Sequence, residues 1–335
     1  MFYKRKLYAV FLCVLLVLSF MFSSCAKAVE EDNDTAEIKE ETFVPYVSVN
    51  FIDLSYGESV FILFSDGKTM LIDCGRDDND GEKIRDYLEK FNVKRIDYLV
   101  LTHPDGEHVG GAEKLIKEFD VGRAYIPKVV DDLLPLFPAF GSAISALNEN
   151  SVETVKSECY KRIKEEDYAV VFLSPINGND NPYSDFNMSE NPTAKQADNV
   201  SPIIYLEIQG VRFVFTGDAS MAQEQAVLDN IKIEFYQAFI KSSGIEINLD
   251  GIDFLKMSDG GSNSATSAAF AKLLKAKNAV VFSGDGRFPD NSAIHNLWNA
   301  NNDYKLWRTD VYGTVSVKIE GNGLYSVITE REQED

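Results

Sequence analysis

The residues with the clearest chemical potential lie in one loop, residues 102–111, which reads THPDGEHVGG. The chain has three histidines, and two of them, His103 and His108, lie in this loop. Asp105 and Glu107 lie between them. Neutral imidazole and carboxylate are the usual ligands of divalent metal ions, so the loop predicts a metal site. The alternative is a solvated turn with incidental histidines, since Pro-Asp-Gly is favourable turn chemistry. The loop alone leaves both interpretations open.

Other polar loops follow predicted strands in the same way. An apolar run over 96–101 leads into the histidine loop, and a helix-like pattern follows it. Further strand-end loops that carry carboxylates or glycines lie at 73–75, 217–218, 259–262 and 284–290. If these strands share a direction, the loops converge on one edge, where sheet proteins usually carry their sites. Buried carboxylates there would need cations to offset desolvation and mutual repulsion.

The elements that position these loops occur in two strand-rich halves with interspersed helices, which indicates two packed sheets covered outside by helices. The predicted strands lie near 47–53, 59–64, 70–74, 96–101, 122–126, 168–173, 201–208, 211–216, 252–257, 279–282, 314–319 and 324–328. The predicted helices lie near 82–91, 112–119, 221–229 and 264–274.

The domain organisation follows from the absence of a linker-like stretch between residues 43 and 329. We therefore predict one domain over 43–330. Residues 128–166, which contain Pro135 and Pro138, are predicted to be a helical insertion. Residues 177–199 are rich in Asn, Pro, Ser and Asp and predict a long loop, a type of segment that is often functional in a compact domain.

The amino-terminal residues predict export. Residues 1–24 combine a positive Lys4-Arg5-Lys6 segment with a 16-residue apolar run, typical of a secretory signal peptide. The run ends at Cys25, as in a bacterial lipoprotein signal, so we expect lipidation of Cys25 and anchoring to the membrane of the cell envelope. An ordinary signal peptide with a chance cysteine is the alternative. Residues 25–42 are acidic and polar and predict a disordered tether.

Composition limits the class of partner. The chain has 335 residues, 45% of them hydrophobic, which is enough for a large core. Its formal net charge is −20, so a phosphate backbone would be repelled. Nucleic acid is therefore a disfavoured partner, although a local basic patch or metal ions would permit it. Beyond the leader and the predicted lipidation site Cys25, two cysteines remain, Cys74 and Cys159, and they do not demand a disulfide.

Several motifs match, in order, those of a known family. They are VNFID at 49–53, LIDCG at 71–75, LTHP at 101–104, GG at 110–111, FTGD at 215–218, GS at 261–262, SG at 283–284 and RTD at 308–310. The chain over 47–328 thus resembles the metallo-β-lactamase fold, and within it the extracellular metallohydrolase domain of the ComEC-type competence DNA channel. The resemblance implies an α/β fold, an αββα sandwich of two mixed β-sheets. It also implies a binuclear site, usually of zinc or manganese, at which a metal-bound hydroxide attacks a phosphoester or acyl bond.

The departures from the family lie at the metal ligands. The family loop reads His-x-His-x-Asp-His, and His103 and His108 match its first and last histidines. Asp105 stands in the place of a ligand histidine, and Glu107 in the place of the second-metal aspartate. Asp218 matches the bridging aspartate. By this resemblance Glu107 and Asp218 take the catalytic positions.

The later family histidines are also replaced. A family segment with two histidines before Gly-Ser corresponds here to Asp259 and Gly260, followed by Gly261 and Ser262. Near the carboxyl terminus Asp290 stands where the family has another histidine, although the nearby His295 leaves that register open. The candidate metal ligands are therefore His103, Asp105, Glu107, His108, Asp218 and Asp259. Accessory candidates are Asn199, Lys256, Ser262 and Asp290.

Two interpretations of this ligand set compete. In the first, carboxylates replace histidines and hold one or two divalent ions, with an oxygen-rich set that suits Mn²⁺, Mg²⁺ or Ca²⁺ better than Zn²⁺. The protein would then be a surface-anchored hydrolase of a phosphodiester or related ester, with a small phosphoester or other envelope compound as substrate. In the second, the site has decayed, and an inactive lipoprotein binds an envelope ligand or partner in the old cleft.

Overall fold

The computed structural model describes residues 46–129, 131–176 and 197–332, which belong to one compact unit. The predicted leader at 1–24, the lipidation site Cys25, the tether and most of the predicted loop at 177–199 lie outside these ranges. Within them, no helix is both long enough and apolar enough to cross a membrane.

The strands of the described ranges form two mixed sheets. In chain order they are β1 (Ser48–Phe51), β2 (Val60–Leu63), β3 (Thr69–Ile72), β4 (Arg95–Val100), β5 (Asp120–Ile126), β6 (Glu153–Lys156), β7 (Arg162–Lys164), β8 (Tyr168–Phe172), β9 (Ile204–Ile208), β10 (Val211–Phe215), β11 (Phe254–Lys256), β12 (Asn278–Val281), β13 (Lys305–Arg308), β14 (Val315–Gly321) and β15 (Leu324–Thr329). The first sheet has the order β15-β14-β1-β2-β3-β4-β5-β6, and the second has the order β13-β12-β11-β10-β9-β8-β7.

Helices connect and cover these sheets. They are α1 (Asp78–Lys90), α2 (Gly106–Val109), α3 (Ala112–Glu118), α4 (Pro138–Glu149), α5 (Met221–Asn230), α6 (Glu234–Ser242), α7 (Ala268–Leu274), α8 (Asn291–Ala300) and α9 (Thr309–Tyr312). Short 3₁₀ turns occupy Asp131–Leu136, Asp198–Val200 and Ser258–Gly261. Helices α1, α3 and α4 pack on the first sheet, and α5 to α8 pack on the second.

Alternate residues of the central strands face opposite layers. In β10, Phe213 and Phe215 lie between the two sheets, whereas Val214 faces the helices outside the second sheet. In β4, Val100 lies between the sheets and Leu99 faces the helices outside the first sheet. Successive side chains of a strand point to opposite faces, so a strand buried on both faces is apolar throughout. The predicted αββα sandwich of two mixed sheets is confirmed.

The direction of the strands explains where the polar loops meet. Strands β3, β4 and β5 run parallel in the first sheet, and β10 to β13 run parallel in the second. The loops that follow β3, β4, β10 and β11 therefore leave from the carboxyl ends of parallel strands. His108, after β4, contacts Asp218, after β10, so the two sheets bring their loop-bearing edges together.

The structure corrects the prediction of a helical insertion over 128–166. Helical structure covers Asp131–Leu136 and α4, but the second half of the segment forms β6 and β7. Each of these is the terminal strand of its sheet, and most side chains of β6 are exposed. Edge strands carry charged, exposed side chains, so they lack the apolar alternation that predicts a strand. The sequence interpretation also missed α6, α8 and β13.

The core between the sheets can be tested with one aromatic residue. We expect Phe213→Ala to lower the free energy of unfolding by about 3–5 kcal/mol, the usual cost of removing a buried phenyl ring. The Phe213 ring is fully buried, and its centroid lies 5.1 Å from that of Phe254 and 6.0 Å from that of Phe215. Phe288→Ala is the matched control, because Phe288 is 56% exposed. That control should change stability by less than about 0.5 kcal/mol. Chemical denaturation followed by circular dichroism measures both, and equal losses would contradict the assigned core.

Candidate metal centre

Three buried side chains from the two sheet edges form a cluster of possible metal ligands. His103, His108 and Asp218 each offer a ligand atom, and these atoms lie within 4.8 Å of one another. His103 Nε2 and Asp218 Oδ1 have no hydrogen-bond partner among the described residues. The nearest acidic group to His103 Nε2 is Asp198, whose Oδ1 lies 3.5 Å away. A buried polar atom without a partner is costly, and two in one cluster of nitrogen and oxygen donors fit a divalent cation.

The position of the His108 ring is set by carboxylates on both sides. Its Nδ1 lies 3.0 Å from Asp73 Oδ2, and its Nε2 lies 3.0 Å from Asp218 Oδ2. Asp73 is held in turn by Thr102, whose backbone N–H and hydroxyl donate to the carboxylate at 2.8 and 2.6 Å. A carboxylate behind a ligand histidine orients the ring in many metal sites. Asp73 is therefore a positioning residue for His108.

Backbone contacts place the short helix α2 against the loop after β3. The Cys74 N–H donates to the carbonyl of His108 at 2.6 Å, and the Gly110 N–H donates to the carbonyl of Gly75 at 2.8 Å. A Cβ atom on Gly110 would collide with the carbonyl of Arg76. Glycine at position 110 thus permits the close approach that carries His108 into the cluster.

The charges of the cluster depend on one another. Burial by itself would lower the pKa of His108, but Asp218 and Asp73 outweigh it and hold that pKa well above its usual range. Burial would raise the pKa of Asp218, but His108 outweighs it and lowers that pKa below its usual range. As an imidazolium, His108 donates to both carboxylates. As a metal ligand, it must be neutral at the coordinating nitrogen, so cation binding and protonation compete.

A buried ion pair lies beside the cluster. Lys256 Nζ pairs with the Glu58 carboxylate and donates to the carbonyl of Gly217 at 2.9 Å. The side chains of Lys256 and Glu58 are 4% and 2% exposed, so neither charge is balanced by water. Burial raises the pKa of Glu58, and the neighbouring Lys256 opposes that shift. Glu58 also lies 3.8 Å from His108 Nδ1, so this pair is part of the same electrostatic network.

A second internal cation bridges two loops. Arg287 Nη1 pairs with Glu107 Oε2, and Arg287 Nη2 lies 2.7 Å from Asp259 Oδ1. Glu107 belongs to α2 after the first sheet, whereas Asp259 follows β11 of the second. The ring of Tyr56 lies 5.3 Å from the guanidinium carbon. Burial alone would raise the pKa of Glu107 and lower that of Arg287, and their mutual attraction opposes both shifts.

Comparison with known proteins agrees with this architecture. A family model described as the metallo-beta-lactamase superfamily matches residues 54–285, more than half of the chain. The chain belongs to the metallo-β-lactamase superfamily. The histidine loop, Asp218 and the strand-end loops at 73–75, 217–218 and 259–262 fall within the matched residues.

The relatives of this superfamily member include one curated protein and many solved structures. ComE operon protein 3 of Bacillus subtilis (strain 168) is 28% identical over 305 residues, which cover 83% of this chain and 34% of that protein. The chain thus spans about a third of the length of this relative. The predicted ComEC-like resemblance is confirmed.

The solved structures to which the chain is similar include a metallo-beta-lactamase fold protein and a metallo hydrolase. YhfI from Bacillus subtilis is 11% identical with a TM-score of 0.46, and the match covers 84% of this chain and 99% of that one. Igni18 from Ignicoccus hospitalis, described as a novel metallo hydrolase, is 12% identical with a TM-score of 0.41, over 84% of this chain and 98% of that one.

The structure separates the predicted ligands into two groups. His103, His108 and Asp218 lie together, whereas the carboxylate of Asp105 is 38% exposed and lies 3.8 Å from His103 Nδ1. Glu107 and Asp259 pair with Arg287, as described above. The structure therefore does not bring Asp105, Glu107 and Asp259 into the cluster of closely spaced ligand atoms. The carboxylate of Asp105 is exposed to solvent, and those of Glu107 and Asp259 pair with the guanidinium of Arg287. Metal binding by any of these residues stays a prediction.

Most of the accessory candidates make hydrogen bonds that stabilise the local structure. The side-chain oxygen of Asn199 accepts a hydrogen bond from Ser220 at 2.7 Å, and Ser262 bonds Ser264 at 2.8 Å. Asp290 caps the amino terminus of α8 by accepting from the Ser292 N–H. His295 lies on the same helix and is exposed, with its ring stacked on that of Trp298. Lys256 pairs with the carboxylate of Glu58 and neutralises it.

Four residues of the site were not among the predicted ones: Glu58, Asp73, Asp198 and Arg287. Asp73 carried a signal, since it follows an apolar strand as the histidine loop does. Asp198 is adjacent in sequence to the predicted Asn199. Glu58 and Arg287 carried no comparable signal, because single charged residues in turns are ordinarily solvated.

The buried pair of Lys256 and Glu58 predicts a pH-dependent loss of stability. We expect Lys256→Met to lower the free energy of unfolding by about 3–5 kcal/mol near neutral pH, because it leaves a buried carboxylate unpaired. Loss of the cation raises the already elevated pKa of Glu58 in the native state. The native protein therefore keeps a proton on Glu58 at pH values above about 4.3, where the unfolded chain has released it. Stability of the variant should therefore fall as pH rises. Denaturant titrations between about pH 5 and pH 8 measure this.

The control for this prediction removes both charges. Lys256→Met combined with Glu58→Gln should recover most of the lost stability and lose the pH dependence. A Lys256→Met protein as stable as the wild type at every pH would show that the pair is not buried as described.

Proposed function

We propose that the domain at 43–330 is a metal-dependent hydrolase that cleaves a phosphodiester or related ester. The observation that carries the proposal is the buried cluster of His103, His108 and Asp218, whose ligand atoms lie within 4.8 Å of one another. A divalent ion bound there supplies Lewis-acid activation of water and of the ester. Membership of the metallo-β-lactamase superfamily supports the same proposal.

The chain's own residues prepare this site for a cation. Asp73 and Thr102 hold the His108 ring, and Asp218 offers an oxygen that has no hydrogen-bond partner among the described residues. Two imidazoles and one carboxylate form a mixed donor set, which suits Zn²⁺ or Mn²⁺ better than Mg²⁺ or Ca²⁺. We therefore place zinc or manganese ahead of the harder ions, with Asp198 beside His103 as a further oxygen donor.

The charge of the site bears on the substrate. Six carboxylates surround two fixed side-chain cations, Lys256 and Arg287, so an anionic ester meets net repulsion without a bound metal ion. The carboxylates belong to Glu58, Asp73, Glu107, Asp198, Asp218 and Asp259. The net charge of −20 also disfavours a long polyanion. A small phosphoester of the cell envelope is thus the proposed substrate, ahead of nucleic acid.

A binding protein without catalysis is the second candidate. It is favoured by Arg287, which occupies Glu107 and Asp259, two of the predicted ligands. With Glu107 paired in this way, its predicted catalytic role loses support. In this alternative the cleft holds an envelope ligand or partner through the remaining cluster.

The two candidates differ in the effect of one isosteric substitution. We expect Asp218→Asn to reduce metal-stimulated cleavage of bis(p-nitrophenyl) phosphate by at least about 100-fold, since loss of an outer-shell partner alone costs 10–100-fold. Steady-state assays with Mn²⁺ or Zn²⁺, before and after chelation, measure the effect.

The matched control is Asp285→Asn, an acidic residue in a neighbouring loop that is 59% exposed. It should retain the activity of the wild type. Wild-type protein that binds a stoichiometric ion but shows no cleavage of any phosphoester would favour the binding protein. Wild-type protein that binds no stoichiometric ion would remove the metal centre altogether.

The anchoring proposal is independent of the site. We propose that Cys25 is lipidated and holds the protein at the outer face of a membrane in the cell envelope. Cys25→Ser should abolish labelling by a palmitate analogue in a bacterial host and release the protein from the membrane fraction. Cys13→Ser, within the leader, is the control and should keep both label and location. Equal labelling of both variants contradicts the proposal.

A further inference from the structure

The environment of Arg287 is that of an internal cation. Its side chain is 14% exposed and touches Glu107 from one sheet edge and Asp259 from the other. Burial by itself would lower its pKa, but the surrounding carboxylates outweigh burial and raise it. These carboxylates belong to Glu58, Glu107, Asp218 and Asp259. A surface ion pair is solvated on most sides, whereas this guanidinium is surrounded by negative charge.

The two carboxylates that Arg287 bridges have something in common. Glu107 and Asp259 both stand at positions where the family resemblance implies metal ligands, and they come from loops of different sheets. A divalent ion between such groups would neutralise them and tie the loops together. A planar guanidinium with parallel N–H donors does the same for two carboxylates.

The space for the guanidinium comes from Gly260. A Cβ atom at this position would collide with Nε of Arg287, and the backbone of Gly260 has a φ of +54°. Asp259, next to it, has a φ of +46°, which is rare for a residue other than glycine. The backbone at Asp259 therefore directs its side chain toward Arg287. A side chain larger than that of glycine at position 260 would occupy the space that the guanidinium fills.

We propose that Arg287 takes the place of a second metal ion, so that the chain binds one divalent cation, at His103, His108 and Asp218. This inference rests on the proposed metal centre and adds its stoichiometry. It also makes Glu107 and Asp259 partners of a guanidinium instead of ligands. The cost of partly burying these two carboxylates is then offset by a cation that cannot dissociate.

The number of bound ions tests the inference. Isothermal titration with Mn²⁺, checked by elemental analysis of the gel-filtered complex, should give one ion per wild-type chain. Arg287→Ala frees two carboxylates, so we expect a second, weaker ion. Arg287→Lys keeps the charge and should retain one. Arg287→Ala combined with Glu107→Gln should return the number to one, which shows that the added ion uses Glu107.

A second variant tests the inference without removing the arginine, in case Arg287→Ala does not fold. If Glu107 is not a ligand, Glu107→Gln should weaken binding of the single ion by less than about tenfold, the lower end of an outer-shell effect. Loss of that ion from Glu107→Gln overturns the inference, and so does a wild-type count of two ions or an Arg287→Ala count of one. In those cases the metal centre stands, whereas a wild-type count of zero overturns the metal centre and the inference together.

Discussion

The balance of charge at the meeting edges of the two sheets is the constraint on which the rest of the site depends. Six carboxylates converge there, from Glu58, Asp73, Glu107, Asp198, Asp218 and Asp259. An unpaired buried carboxylate costs several kcal/mol, so such a group persists only beside cations or strong donors. Lys256 and Arg287 supply fixed positive charge, and His108 lies between two of the carboxylates. Each loop of the edge therefore depends on the charge carried by its neighbours.

The distribution of these cations divides the edge into two parts. Lys256 pairs with the carboxylate of Glu58, and Arg287 pairs with those of Glu107 and Asp259. His103 Nε2 and Asp218 Oδ1 have no hydrogen-bond partner among the residues that the structure describes, and no lysine or arginine of those residues pairs with Asp218. Two groups of closely spaced ligand atoms share His108 among the described residues: His103, His108 and Asp218 form one, and Glu58, Asp73 and His108 form the other. Because Lys256 already pairs with Glu58 in the second group, an exchangeable cation suits the first.

Most of the fold could be predicted because buried strands leave a strong local pattern. Strands such as β4 and β10 are apolar on both faces, and each ends in a polar loop, so their limits are visible in the sequence. The edge strands β6 and β7 and the helix α8 were missed because their side chains are largely exposed or mixed in character. For such elements, pairing with a neighbouring strand or layer, and not local pattern, decides the structure.

The sequence by itself determined the superfamily, the histidine loop and Asp218 as its partner, because these depend on motifs whose residues are close together or occur in a set order. Only the tertiary structure decided which charges meet. Arg287 and Glu107 are 180 positions apart, and Lys256 and Glu58 nearly 200, so nothing local indicates that they are paired. The ionic state of a carboxylate is set by its neighbours in space at a few ångströms, and the folded sheets alone determine those neighbours.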